Sequence, residues 1–568
     1  TGTRPGGRPT HPRHDAPPDR RPAPPIGGPY GRVEPKTPPT GFRGEATQFL
    51  RPPQEQRNSQ NEATQFLQPL KLWSPQEAPP REAPPRETLP REVREAPAKP
   101  TKRKTRKRKP LLITAIALVA VIAVAAGVVF AVPGLSDDLG ITTGADVAVA
   151  PPAPPVDFSP GLRAPGADAP APTPQGVSAA LSGPTSAAEL GTLTGIVYDP
   201  MAKETLWESD PTTPLVPAST GKILTAAAAL LSLDHTQQLT TRVVEGDQPG
   251  EVIIVGGGDP TLSSLKPGVE SVYPGAAHLS DLVDQVKKSG AKVDSVRIDL
   301  SRYEGDSMAP GWSNADIGGG YIAPMVPAML DGGRGDAQKQ DTPRTANPAR
   351  VLAEDFATRL GASVADESSA EAKKNAKVLG EVRSAPLVEL VDNMLQSSDN
   401  VLAEAVAREV AKGAGEEVSF AGASKATVDI LRENKFDLDG VNMADGSGLS
   451  TEDRVPARIF GELLGVAAGP DGKDPRTAKL RPLVGGLPVA GGSGTLDNRF
   501  DDVGTDGRGW VRAKTGTLSG VNSLAGVVLD TDNRLLVFAL MTNGGGGATA
   551  VRDALDVIAA TLRGCGCR

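Results

Sequence analysis

Residues 111–132 set the first limit on what this chain can build. Twenty-two consecutive residues carry no charge, and Thr114 is the most polar side chain among them. At about 1.5 Å per residue the run matches the roughly 30 Å hydrocarbon core of a bilayer. Just before it, seven of the eight residues Lys102-Arg103-Lys104-Thr105-Arg106-Lys107-Arg108-Lys109 are basic. Positive charge stays on the cytoplasmic side, so the pattern predicts a single-pass type II anchor in the cell membrane, with the body exported. A helix apolar on every face and flanked in this way does not read as a core helix. About 100 residues precede it, which argues against a cleaved signal peptide. Charge follows the same division. Residues 1–110 hold 23 Lys and Arg against 11 Asp and Glu, and the remainder holds 38 against 57, so a +12 head precedes a −19 body. That split points to two compartments rather than to nucleic-acid binding.

Residues 1–110 are rich in Pro, Arg and Glu, and too poor in apolar side chains to offset chain entropy, so they read as a disordered cytoplasmic tail. The hexapeptide Glu-Ala-Thr-Gln-Phe-Leu occurs twice there, placing Thr47 and Thr64 in identical settings. An acidic residue two before and a leucine three after each threonine form a plausible kinase recognition pattern. A phosphate there would suit a phosphothreonine-binding partner. Residues 133–185, rich in Pro, Ala and Gly, read as an extracytoplasmic linker. The two cysteines, Cys565 and Cys567, sit at the far end, and the sequence leaves open whether they pair. No zinc-ligand spacing is present, and no metal or cofactor is expected.

Beyond the linker the pattern predicts two strands (193–198 and 204–207), helices at 219–233, 351–360, 387–395, 401–410 and 457–464, strands at 509–517, 523–529 and 535–541, and a last helix at 549–562. Two strands, a helical middle, three strands and a helix suggest an α+β fold, one antiparallel sheet with helices packed on it. The Gly-rich stretch 245–345 breaks this pattern and reads as an inserted domain. The main domain is then expected at 186–244 and 346–563.

Within this frame, Ser219 and Lys222 stand one turn apart at the start of an almost wholly apolar helix. A nucleophilic serine needs a base. His235 and His278, the only histidines of the body, have no triad-like setting. Burial against Ile223, Leu224 and Ala226–Ala229 would lower the Lys222 pKa, so that a neutral amine can accept the serine proton. Read alone, the pair is also an ordinary N-cap serine with a solvated lysine. Ser398-Asp399-Asn400 lies in a break between two amphipathic helices, where Ser398 could pass a proton and Asn400 could hold Lys222. Lys514-Thr515-Gly516-Thr517 lies within a strand. Gly516 would let a substrate backbone approach, while Lys514, Thr515 and Thr517 suit a terminal carboxylate. The backbone N–H groups of Ser219 and Thr517 could form an oxyanion hole. Ser263–Lys266 and Ser289–Lys292 repeat the first spacing, so order and setting carry the inference.

In that order the three motifs resemble the S-x-x-K, S-x-N and K-T-G set of penicillin-binding proteins and serine β-lactamases. The body, about 190–563, is similar to class C low-molecular-mass penicillin-binding proteins, the penicillin-binding protein 4 type of D-alanyl-D-alanine carboxypeptidase. The likeness extends to Gly257-Gly258-Asp259-Pro260-Thr261-Leu262 and Asp445-Gly446-Ser447-Gly448-Leu449-Ser450. It implies the β-lactamase/transpeptidase-like fold and a D,D-carboxypeptidase, with D,D-endopeptidase action in addition, on peptidoglycan stem peptides. It further implies inhibition by β-lactams. By the resemblance, Asp259 would bind the side-chain amine of a diaminopimelyl peptide and Leu518 would line the same pocket. Thr451 departs from the family's arginine, which would suit an amidated side chain. A serine β-lactamase is the enzymatic alternative, yet no Glu between 400 and 514 has Asn four residues on. A non-catalytic wall or β-lactam sensor is the other.

Overall fold

The structure, a computed structural model, describes residues 168–568. The expected tail and membrane span, and the expected linker as far as residue 167, lie outside the described residues. Among the described residues no helix is long and apolar enough to cross a membrane.

Strands β1 (Thr192–Asp199) and β2 (Glu204–Ser209) form the expected hairpin. Strands β10 (Val511–Leu518), β11 (Val521–Leu529) and β12 (Leu535–Asn543) complete a five-stranded antiparallel sheet in the order β10-β11-β12-β1-β2. Successive side chains of a strand point to opposite faces. Val537, Ala539 and Met541 of β12 therefore join one core, and Leu536, Phe538 and Leu540 join the other. The first core holds the Lys222–Ser232, Leu387–Ser397, Asn400–Ala414, Phe420–Glu433 and Ala457–Ala467 helices. Lys222–Ser232 is buried on every side as far as Leu231, as its almost wholly apolar run requires. The second core holds the Ala548–Arg563 helix.

A two-residue pair, β3 (Pro214–Leu215) with β9 (Val455–Pro456), ties the approach to Ser219 to the helical layer. The inserted region has its own mixed sheet, ordered β7-β6-β5-β4-β8, from β4 (Thr240–Glu245), β5 (Glu251–Val255), β6 (Ser295–Asp299), β7 (Ser363–Ser369) and β8 (Val378–Arg383). The insertion thus runs from 240 to 383, wider than the expected 245–345. The helix expected at 351–360 belongs to it. Pro348–Leu360 buries Leu352, Ala353, Phe356 and Ala357 against Val243, Ile254 and Val296 of this sheet. Strand β7, Ser-Val-Ala-Asp-Glu-Ser-Ser, has no apolar alternation and so gave no strand signal.

The expected linker also ends early. Pro174–Leu181 is a helix whose Val177 and Leu181 are wholly buried in the second core. Thr173 caps it, its Oγ1 accepting from the Gly176 N–H at 3.1 Å. A Thr followed by Pro at the first helical position is a start signal that the Pro-rich composition hid. Cys565 and Cys567, which the sequence left open, are disulfide-bonded to each other.

Candidate active site

Ser219 lies in a 3₁₀ turn, Ala218–Gly221, that feeds the Lys222–Ser232 helix. Ala218 takes φ of 49°, a conformation that side chains other than glycine rarely adopt. The turn is held by the Pro217 carbonyl, which accepts from Thr220 Oγ1 and Ser523 Oγ, both at 2.7 Å. Strand β10 presses against it at Gly516. A methyl group there would stand 2.7 Å from the Pro217 oxygen and closer still to Ser523 Oγ, so only glycine permits the approach.

Lys222 is completely buried. Its Nζ donates to Ser219 Oγ at 3.0 Å, Asn400 Oδ1 at 2.5 Å and the Ser447 carbonyl at 2.8 Å. Three acceptors saturate an ammonium group. Burial lowers the Lys222 pKa to about 8, against the opposing pull of the Asp445, Asp399, Glu404 and Asp453 carboxyls. A buried amine with a lowered pKa beside a serine hydroxyl has the setting that a general base requires.

Ser398 ends the Leu387–Ser397 helix in the left-handed region, φ 58°, and Asp399 caps the next helix by accepting from the Leu402 N–H at 2.8 Å. This reversal turns Ser398 Oγ toward Lys514 Nζ, 2.9 Å away, and Asn400 toward Lys222. Lys514 is buried in β10 and also donates to the Thr515 carbonyl at 2.9 Å. Burial, then the charge of Lys222, hold its pKa well below the ordinary lysine value. Thr515 Oγ1 lies 2.7 Å from Thr495 Oγ1. Strand β10 is an outer strand of the sheet, and its half-exposed Thr515 and Thr517 stand on it. Leu518 packs on Val216, Ala218 and Val521 beside the serine turn.

The structure therefore forms two hydrogen-bonded groups, Ser219–Lys222–Asn400 and Ser398–Lys514, joined through the backbone of the Ser398-Asp399-Asn400 turn. The rival pairs stay apart from them. Ser263 is buried in the insertion, bridged to His278, and Ser289 Oγ donates to the Val286 carbonyl within its own helix end.

Asp259 does not behave as the resemblance implied. Its side chain is only 2% exposed, Oδ1 accepts from the Thr261 N–H and hydroxyl at 2.8 and 2.6 Å, and Oδ2 has no partner. Burial raises its pKa to about 6, only partly offset by the Thr261 bonds. A carboxyl enclosed in this way has no open face for a substrate amine, so the Asp259 assignment is withdrawn. Thr451, by contrast, is exposed, on the loop that supplies the Ser447 carbonyl.

That loop is the part of the site that residue-level reasoning missed. Asp445 is buried and accepts four hydrogen bonds: Ser447 N–H at 2.9 Å and Gly448 N–H at 2.6 Å on Oδ1, Ser450 N–H at 2.7 Å and Trp312 Nε1 at 2.6 Å on Oδ2. Gly448, φ 78°, abuts the serine turn so closely that a methyl group would collide with the Ala218 carbonyl oxygen. The signal lay in the Asp-Gly-Ser-Gly spacing, which pulls backbone amides onto one carboxylate. A cavity of about 400 Å³ on the far side, lined by Tyr198, Phe436 and Gly465, contains none of these groups.

The D-Ala-D-Ala carboxypeptidase 3 (S13) family model matches residues 177–343 and 337–562. The chain belongs to the S13 family. Among relatives, it is 44% identical over 452 residues to carboxypeptidase DacB of Mycolicibacterium smegmatis, covering 78% of this chain and 96% of that protein. It is 43% identical over 424 residues to a carboxypeptidase of Mycobacterium tuberculosis, covering 74% and 90%. Of solved structures, penicillin-binding protein 4 of Haemophilus influenzae matches with a TM-score of 0.56 at 21% identity, over 68% of this chain and 98% of that one. That likeness supports the S13 chain's fold. The antiparallel sheet with helices is accordingly that of penicillin-binding protein 4.

Proposed function

We propose that this S13 protein is a serine-type D-alanyl-D-alanine carboxypeptidase that trims peptidoglycan stem peptides and is acylated by β-lactams. The observation that carries the reading is the buried Lys222 amine, 3.0 Å from Ser219 Oγ and held by Asn400 and Ser447. Neutral Lys222 takes the Ser219 proton as Oγ attacks the carbonyl of the D-Ala–D-Ala bond. The backbone N–H groups of Ser219 and Thr517 stabilise the oxyanion. The proton passes through Ser398 to the leaving D-alanine amine, the C–N bond breaks, and an ester on Ser219 remains. Lys514, Thr515 and Thr517 hold the terminal carboxylate, which restores the positive charge of Lys514 that burial disfavours. Water, deprotonated by Lys222, then hydrolyses the ester. Leu518 and Thr451 border the side-chain pocket of the stem peptide that is held as the ester, and Thr451 suits an amidated diaminopimelate.

The test is release of D-alanine from a defined pentapeptide, with a cross-linked muropeptide alongside to score endopeptidase action. Ser219→Ala should fold yet release nothing and take no penicillin label. Label retained on that variant would overturn the assignment.

The uncharged run at 111–132 behind seven basic residues supports membrane anchoring with the body outside. The duplicated Thr47 and Thr64 settings support kinase modification of the tail and docking of a phosphothreonine-binding partner. Phosphopeptide mapping from cells decides the latter; unmodified threonines would dismiss it.

A further inference from the structure

The insertion reaches the Ser398-Asp399-Asn400 turn through a closed circuit of buried contacts. Asp399 Oδ2 accepts from Arg334 Nη2 at 2.5 Å, Tyr273 Oη at 3.0 Å and Arg344 Nη2 at 3.1 Å. The three charged side chains are at most 3% exposed. Both arginines come from the inserted segment, where they face each other across an isolated antiparallel bridge. Each is fixed in turn by main-chain carbonyls. Arg344 donates to Gly320 at 2.9 Å and Gly332 at 2.6 Å, and Arg334 donates to Gln340 at 3.2 Å. Next to Gly320, the Tyr321 carbonyl accepts from Asn400 Nδ2 at 3.1 Å.

Two routes thus lead from Arg344 to the same residue. One runs through Asp399 to the backbone of Ser398 and Asn400. The other runs through Gly320 and Tyr321 to the Asn400 amide, whose Oδ1 meets Lys222. Capping the helix needs only the single bond from Asp399 Oδ1 to the Leu402 N–H. Two guanidiniums and a phenol on the other oxygen do something more. Each guanidinium gives one Nη2 to that oxygen and spends its other nitrogens on Tyr273 or on main-chain carbonyls, so the planar groups tie the carboxylate to the insertion at several points, which a lysine cannot do. Burial alone would raise the Asp399 pKa, but Arg344, Arg334 and the Leu402 N–H outweigh it and hold the carboxyl far below the usual range. It stays an anion at any working pH.

We infer that Arg334 and Arg344 are positioning residues for the reaction, holding Asp399 so that Ser398 meets Lys514 and Asn400 meets Lys222. The inserted domain on this view completes the catalytic centre. The inference rests on the reading of Ser219 and Lys222 as nucleophile and base.

The experiment measures acylation of the purified chain by a fluorescent penicillin, separating the rate at saturation from the half-saturating concentration. Arg344→Lys keeps the charge and loses the simultaneous hold on Asp399 and the Gly320 and Gly332 carbonyls. Tyr273→Phe removes one hydroxyl. Arg359→Lys, an insertion arginine paired with Asp355 away from this circuit, is the control. A displacement of about 1 Å in a reacting group costs on the order of 100-fold. Arg344→Lys and Tyr273→Phe should therefore acylate about 10- to 100-fold more slowly at saturation, with little change in half-saturation. Arg359→Lys should match the wild type. A merely structural role would lower the melting temperature and leave the rate of the folded protein alone. Wild-type rates in folded Arg344→Lys and Tyr273→Phe would overturn the inference. Should Arg344→Lys fail to fold, Tyr273→Phe carries the test by itself. Absence of label on wild-type Ser219 would instead refute the proposed function. A crystal structure of Arg344→Lys, or of Tyr273→Phe if that variant alone folds, then judges the positioning role without turnover. Contacts kept at 2.9 Å from Lys514 to Ser398 and 2.5 Å from Lys222 to Asn400 would refute it, and their loss would support it.

Discussion

Raising the pH from 7 to 9 should speed acylation at saturating β-lactam about tenfold, and the reason lies at Lys222. Resting Lys222 spends its three N–H bonds on Ser219, Asn400 and Ser447. Loss of one proton leaves two N–H groups for Asn400 and Ser447 and turns the lone pair toward Ser219, whose hydroxyl then donates. With a pKa of about 8, about one molecule in eleven carries the neutral amine at pH 7 and about ten in eleven at pH 9. A lysine at its ordinary 10.5 would be neutral about 300-fold less often at pH 7, a difference of about 3 kcal/mol. The direction is fixed by chemistry: the base works deprotonated, so a lowered pKa brings activity down into the neutral range, and the rate rises through pH 8 to a plateau. Saturation matters, because the bound carboxylate keeps Lys514 charged throughout, and the profile then reports the complex rather than the free protein. Stopped-flow measurement with a chromogenic β-lactam between pH 6 and 10 provides the curve. A flat profile, or one still climbing in proportion to hydroxide between pH 9 and 10, would refute Lys222 as the base.

Gly516→Ala forces a methyl group into the Pro217 carbonyl and Ser523, so we expect a loss of about 1–3 kcal/mol of stability with acylation slowed at least tenfold; an unchanged melting temperature and labelling rate would contradict the close approach. Asp445→Asn keeps the shape but turns an amide N–H₂ toward amide donors, and should destabilise the fold by about 2–4 kcal/mol in urea titration while weakening labelling of Ser219. Thr451→Arg should shift preference from amidated toward free-carboxylate diaminopimelyl peptides; an unchanged ratio in a competition digest counts against the pocket assignment.

The first part of the candidate site was legible because its chemistry is local. Ser219 and Lys222 share a helix face, and the apolar run behind them announces the burial that tunes the lysine. What the sequence hid is mostly main chain. The third Lys222 acceptor is the carbonyl of Ser447, and every residue has one of those. The arginine partners of Asp399 stand 55 and 65 residues upstream, in segments without the periodicity that would place them. Asp259 was placed by resemblance alone, and its residue pattern did not show that Thr261, two residues on, would hold it enclosed. The insertion's outer limits were missed for a related reason, since β7 is a polar strand and the Pro348–Leu360 helix looks the same whichever sheet it covers.

The two ends of the folded body are joined. The Thr173 N–H donates to the Cys567 carbonyl at 2.7 Å, and the Pro174–Leu181 helix packs with the Ala548–Arg563 helix in the core opposite Lys222–Ser232. Any mechanical pull that arrives along the chain preceding Thr173 is therefore taken up by this clasp and the sheet face behind it. The load passes into the central sheet without crossing the layer that bears Ser219, Lys222 and Ser398. Were the chain anchored as proposed above, a pull on its tether would leave the ångström-scale alignment of these groups undisturbed.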